Sequence, residues 1–125
     1  MKVFDESKPI YLQIMEEIKK KISRGELKEG NKVLSVREFA QKVGVNPNTV
    51  ARAYMELERE EILVTKRGQG TFVTEDTERI KSMKEDLIKK SINTFLSELE
   101  DIGIGREEVE KILEKFKERF KNGVD

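Results

Sequence analysis

Asn46, Asn48, Thr49 and Arg52 crowd one short stretch, and Lys66, Arg67, Gly68, Gln69 and Gly70 follow in the run "KRGQG". Amides, a hydroxyl and guanidinium groups make directed hydrogen bonds, and glycines let a backbone approach an anion closely. This is the chemistry of binding rather than of bond breaking. The chain has no histidine and no cysteine, so the commonest general base and metal ligand are missing, as are disulfides and thiolate sites. Its 25 acidic residues are interspersed with lysines as solvated faces are, with no apolar pocket evident around any pair. Paired-carboxylate hydrolysis is therefore the weakest reading, and neither a cofactor nor a metal is expected.

Charge has to be read locally. Lys plus Arg equals Asp plus Glu at 25 each, for a net charge of zero, so the overall basicity common among nucleic-acid binders is absent. Between Ser35 and Ala53, however, Arg37, Lys42 and Arg52 face a single Glu38, and the glycine-rich run adds Lys66 and Arg67. The acids concentrate instead in "ELEREE" at 56 to 61, expected to be a solvated face. That pattern permits one basic face on a neutral protein.

The elements that must position these groups can be read from period and punctuation. With 125 residues and 36% hydrophobic content, the chain can bury one modest core plus an extension. Ile10, Ile14, Ile18 and Ile22 recur at four-residue steps, with Ser7 and Pro9 suiting the start of a helix over 10 to 24 and Gly25 its stop. "GELKEGNKVL" reads as a turn-rich connection. Ser35 and Glu38 form a capping box ahead of Phe39, Ala40 and Val43, which predicts a second helix over about 35 to 43. Gly44 suits a left-handed helix end, and Asn46 followed by Pro47 supplies an N-cap and a first-turn proline for a third helix. In that helix Val50, Ala53, Tyr54 and Leu57 line one face, while Asn48, Thr49 and Arg52 turn outward. "ILVTK" and "TFVT" flank "RGQG" as a hairpin.

Two helices meeting across a three-residue turn, with small Ala40 at their crossing and Val50 packing back, satisfy the needs of a helix-turn-helix, whose second helix can enter a major groove. The hairpin completes a winged helix, and its tip can approach phosphates because glycine leaves backbone N–H groups uncovered. After a polar joint at 75 to 79, Ile88, Ile92, Phe95, Leu99 and Ile102 recur at steps of 4, 3, 4 and 3, a coiled-coil-like stripe. "GIG" at 103 to 105 breaks that helix, and a last one over about 106 to 121 carries Ile112, Leu113, Phe116 and Phe120. The expected fold class is mainly α with a small β-hairpin wing: a winged helix-turn-helix over 1–76, followed by a two-helix C-terminal dimerisation region over 77–125.

The segment "GELKEGNKVLSVREFAQKVGVNPNTVARAYMELEREEILVTKRGQGTFV" resembles the DNA-binding domain of the GntR family of bacterial transcription regulators. The likeness covers about residues 10 to 74, with "SVREFA", "VNPNTVARAYMELE" and "GQGTFV" in order and at the family's spacing. The helical tail, with "GIGREEVEKIL", resembles the short C-terminal region of the YtrA-like subfamily. Two departures stand out: Leu34 where the family usually has Pro, and no Gly near Glu61 or Ile62. The resemblance implies that Arg37 reaches DNA from the second helix and that Asn46, Asn48, Thr49 and Arg52 stand at or near the groove-facing start of the third. Lys66, Arg67, Gly68, Gln69 and Gly70 match the wing. Pro47 and Ala51 replace arginines that some members carry, so base readout leans on fewer long side chains.

Each role has a plainer competitor. Asn46 serves as a cap and the glycines serve any tight hairpin, whereas Arg52 stands between a DNA contact and an ion pair with Glu56 one turn on. Ile88, Ile92, Phe95, Leu99, Ile102, Ile112 and Phe116 are read as core or dimer seam. The functional expectation is a homodimeric, sequence-specific regulator bound to a palindromic double-stranded operator, repressing by promoter occlusion. The alternative is a winged-helix protein-interaction module, which would not need Arg37, Thr49 and Arg67 outside together. A small-molecule effector of unspecified identity remains open as a partner. Two helices after residue 76 can hardly enclose a pocket of ~300 Å³, so its site would form between subunits or between tail and winged helix. No run approaches the ~20 apolar residues that span a bilayer, and no signal-peptide run opens the chain, so no membrane partner and a cytoplasmic location are expected.

Overall fold

The computed structural model describes residues 4–121 and 123; the outermost positions of both expected regions, 1–3, 122, 124 and 125, lie outside the described residues. The element order is α1 (Ile10–Ser23), α2 (Val36–Val43), α3 (Pro47–Arg59), β1 (Leu63–Lys66), β2 (Gly70–Val73), α4 (Thr77–Asp101) and α5 (Arg106–Lys121). The chain divides into two compact units, Met1–Lys84 and Glu85–Asp125.

In the first unit α3 is the central element, packed against α1, α2 and β1. Its inward residues Val50, Ala53 and Leu57 are fully buried, and Tyr54 nearly so, as the helical period requires. Ile14, Met15, Ile18 and Ile22 meet that core from α1, and Phe39 and Ala40 from α2. Phe39 and Tyr54 stand edge to face with ring centroids 6.1 Å apart, and the Tyr54 hydroxyl donates to the Leu34 carbonyl at 2.6 Å.

The ends of α2 and α3 follow local chemistry. Ser35 closes both halves of its capping box: its hydroxyl accepts from the Glu38 backbone N–H at 3.1 Å, and its own N–H donates to Glu38 Oε1 at 2.9 Å. Gly44 adopts φ 69°, and its N–H reaches the Ala40 carbonyl at 2.9 Å. Asn46 Oδ1 then accepts from the Asn48 N–H at 2.8 Å, with Pro47 opening α3. α1 begins differently from expectation, because Pro9 occupies the N-cap position without a side-chain cap bond. Gln13 reaches back instead, accepting from the Asp5 N–H at 2.8 Å and donating to the Asp5 carbonyl at 2.6 Å.

The strands pair antiparallel, with Leu63 opposite Val73 and Lys66 opposite Gly70. Arg67, Gly68 and Gln69 form the three-residue connection, with Gly68 at φ 78° and Gly70 at φ 118°. The connection after α1 is more than a turn. Val33 N–H donates to Thr71 O at 2.9 Å and Val73 N–H to Asn31 O at 2.8 Å, and Lys32 bridges to Phe72, so residues 31–33 lie along the free edge of β2.

The first unit also runs past the polar joint expected at 75 to 79, ending at Lys84. Asp76 Oδ1 accepts from the N–H groups of Glu78 and Arg79, so α4 is capped there. Ile80 and Met83 on its first turns are buried in the core. Arg79 Nε donates to the Glu60 carbonyl at 2.7 Å, and Lys19 pairs with Glu60 Oε1 at 2.7 Å. Glu60 thus ties α1, the end of α3 and the start of α4 together.

In the second unit α4 ends at the expected break, with Gly103 at φ 83° and the Ile104 N–H bonded to Leu99 O at 2.8 Å. No side chain described from 85 to 121 is buried.

Candidate nucleic-acid interface

The groups singled out for binding are all carried by the first unit. Arg37 is exposed on the first turn of α2, and Asn48 is exposed on the first turn of α3 with Thr49 half-buried beside it. Asn46 is exposed but its Oδ1 is committed to the α3 cap. Its structural role is therefore evident. On α3 the positions 48, 52, 55 and 59 share the outward face, opposite the buried positions 50, 53, 54 and 57.

Arg52 does not pair with Glu56. That carboxylate binds Arg59 Nη1 at 3.0 Å, while the Arg52 guanidinium carbon lies 3.8 Å from the centroid of the Tyr11 ring on α1. The helical spacing of 52 and 56 made the ion pair plausible, but the tertiary contact with α1 prevails. The acidic run lies largely at the surface, as expected, but is also tied into the fold: Glu56 holds Arg59, Glu58 accepts from the Thr65 hydroxyl, and the partly buried Glu60 holds Lys19 and Arg79.

At the wing, Lys66 and Arg67 are exposed, and the Lys66 ammonium stands 4.7 Å above the Phe72 ring. Gly70 is required by its backbone and also gives room to a neighbour, the flexible end of the Lys32 side chain. Its φ of 118° disfavours side chains, and a Cβ there would come within 2.7 Å of Lys32 Cε. Lys32 carries no signal in the sequence: it adds a cation beside β2, its side chain reaching Gly70 at the loop end of the wing. Only its register with Phe72 reveals this, and a single bridge leaves no period in the sequence. Glu38, the one acid in the basic stretch, is engaged by Ser35. Hydrogen bonds from the Ser35 backbone and then its side chain hold that carboxyl below the usual range, so it stays ionised as a fixed cap. Among the described residues no group of acids forms a metal site, and no helix is long and apolar enough to cross a membrane.

A capped helix with an outward polar face, a preceding helix across a three-residue turn and a glycine-tipped wing together define a winged helix-turn-helix. The family described as bacterial regulatory proteins, gntR family, matches residues 10–73. The uncharacterized HTH-type transcriptional regulator YhcF of Bacillus subtilis (strain 168) is 42% identical over 115 residues, 92% of this chain and 95% of that protein. The HTH-type transcriptional repressor YtrA of the same organism is 40% identical over 113 residues, 90% of this chain and 85% of that protein. A GntR family transcriptional regulator from Listeria monocytogenes has a structure similar to this one, with a TM-score of 0.79 and 46% identity, covering 90% of this chain and 98% of that one. The chain belongs to the GntR family. It is a DNA-binding transcription regulator and not an enzyme. The likeness to YtrA and YhcF extends through the tail, which places the chain among the YtrA-like members.

The positive φ of Glu61, 62°, falls where the family's glycine is missing. Glu61 is thus the left-handed residue that ends α3, with its N–H on Glu58 O and the Ile62 N–H on Leu57 O, both at 2.9 Å. Leu34, in place of the usual proline, keeps its carbonyl as the acceptor for Tyr54. Neither departure alters the fold.

Proposed function

We propose that the chain acts as a homodimeric repressor that occupies a palindromic operator and occludes a promoter. Asn48 and Thr49 read base edges in the major groove, Arg37 contacts phosphate from α2, and Lys66, Arg67 and the backbone of Gly68, Gln69 and Gly70 hold the flanking backbone. The observation that carries this reading is that Arg37 on α2, Asn48 at the start of α3 and Lys66 and Arg67 on the wing are all exposed on a protein of zero net charge, while Glu56 and Glu60 are paired with Arg59 and Lys19. The repressor assignment follows the name of YtrA, with which the tail is shared.

The dimer is supported by the second unit. Ile88, Ile92 and Ile102 are 58%, 50% and 72% exposed, Phe95 and Phe116 are exposed beside them, and Leu99 and Ile112 are half-buried. A stripe of that size is poorly tolerated in water and fits a second copy of the same helices.

Binding of the full chain to duplex DNA should fall with salt at a log–log slope of about −0.9 per neutralised phosphate. Arg37→Ala and Arg67→Ala should each weaken binding with thermal stability unchanged. Wild-type chain that bound no duplex at ~50 mM salt, where phosphate contacts are strongest, would contradict the reading.

A further inference from the structure

We infer that Tyr11 is a positioning residue for DNA binding: its ring holds the Arg52 guanidinium at the α1 edge of the groove-facing surface, as a preset contact to DNA phosphate. The inference rests on the DNA-binding reading above and adds to it a residue of α1, outside the helix-turn-helix and the wing.

Three observations combine. Arg52 is exposed and shares the outward face of α3 with Asn48, yet its guanidinium carbon sits 3.8 Å from the centre of the Tyr11 ring. Tyr11 is half-buried on the first turn of α1, so the platform is itself anchored in the fold. The carboxylate nearest in helical register does not compete, because Glu56, one turn on, is bonded to Arg59.

The nature of the partner matters. A carboxylate would neutralise Arg52 and occupy its donors, whereas an aromatic face attracts the cation while leaving its charge intact and the N–H groups on the guanidinium edge available. A long arginine side chain also loses rotamer freedom on binding, and part of that loss is already incurred in the free protein. Arg52 stands more than one turn into α3 and its head is drawn toward α1. Helix-turn-helix proteins read bases from the start of the recognition helix, and Arg52 lies beyond that start. The geometry therefore favours phosphate over base.

The test uses the full chain, an operator duplex selected from random sequence, and an unrelated duplex, each titrated against KCl, with thermal melting of every variant. Arg52→Ala should lower the salt slope by about 0.9 per bound protomer and weaken both duplexes alike, roughly eightfold at 0.1 M salt. Tyr11→Leu, which keeps apolar bulk but loses the ring face, should weaken both by about two- to fivefold per protomer, and Tyr11→Phe should bind as wild type. In the Arg52→Ala background, Tyr11→Leu should add nothing. Independent, multiplying losses for the two residues would overturn the positioning role, as would a Tyr11→Phe variant as weak as Tyr11→Leu. A loss in Arg52→Ala confined to the operator, with the slope unchanged, would make Arg52 a base reader and overturn the phosphate assignment. If wild type binds and Arg37→Ala weakens it while both Tyr11 variants match wild type, only this inference fails. If wild type binds no duplex, the DNA-binding reading fails with it.

Discussion

Tyr54 offers a perturbation whose size and pH dependence can both be worked from the structure. Its ring is 4% exposed, its edge-to-face partner is Phe39, and its hydroxyl donates at 2.6 Å to the Leu34 carbonyl just ahead of the α2 cap. Tyr54→Phe removes that donor and little else. The lost bond and the carbonyl left behind should cost about 1–2 kcal/mol. Burial first, and the charge of Glu38 second, push the phenol from its ordinary value of 10.0 to about 12. A raised folded-state value means that the neutral phenol favours the fold. This contribution is complete below pH 10 and is lost as pH rises from 10 toward 12. Discounted for partial solvent screening, it amounts to at most about 2 kcal/mol. Urea unfolding followed by circular dichroism from pH 8 to 11.5 checks this. Lysine deprotonation affects both proteins alike, so the gap between wild type and Tyr54→Phe should shrink as pH passes 10. A gap that stays constant to pH 11.5 would refute the buried, tethered phenol.

The other expectations are simpler. Ser35→Ala removes the cap of α2 and should lower stability by about 1 kcal/mol in the same urea assay. Glu61→Gly should raise it by about 1 kcal/mol, because glycine adopts the positive φ at that site without strain, whereas Glu61→Val should lower it. Ile92→Glu with Phe95→Glu should turn a sedimenting dimer into a monomer without changing the melting of the winged helix. A wild-type monomer at ~10 μM would remove the dimer, since a permanent interface holds well below that concentration.

The helix-turn-helix was legible because its signals are local. The Ser35 and Glu38 box, Gly44, and Asn46 before Pro47 each satisfy backbone groups within a few residues, and all adopt the expected geometry. The hairpin was legible for the same reason. What escaped depends on contacts between distant residues. Lys32 meets β2 across a single bridge, Tyr11 meets Arg52 between α1 and α3, and Arg79 and Lys19 converge on Glu60. None of these leaves a period in the sequence. The first unit reaches Lys84 because Ile80 and Met83 fill its core, though their spacing alone suited the tail helix equally. Glu61 shows the converse: a left-handed position occupied by a residue that does not advertise it. At the interface, the outward direction of Asn48 and Arg52 followed from the buried face opposite them, whereas Thr49 is half-buried at the flank of that face and the partner of Arg52 left no local signal.

The central claim is that the face formed by α2, α3 and the wing reads DNA sequence as a symmetric pair. Selection of bound duplexes from a random pool by the full-length chain at ~50 mM salt tests it most directly. Enrichment of an inverted repeat, with half-site centres separated by one helical turn of about 10 base pairs or a multiple of it, is the predicted result. Recovery of a pool no different from the input would contradict it.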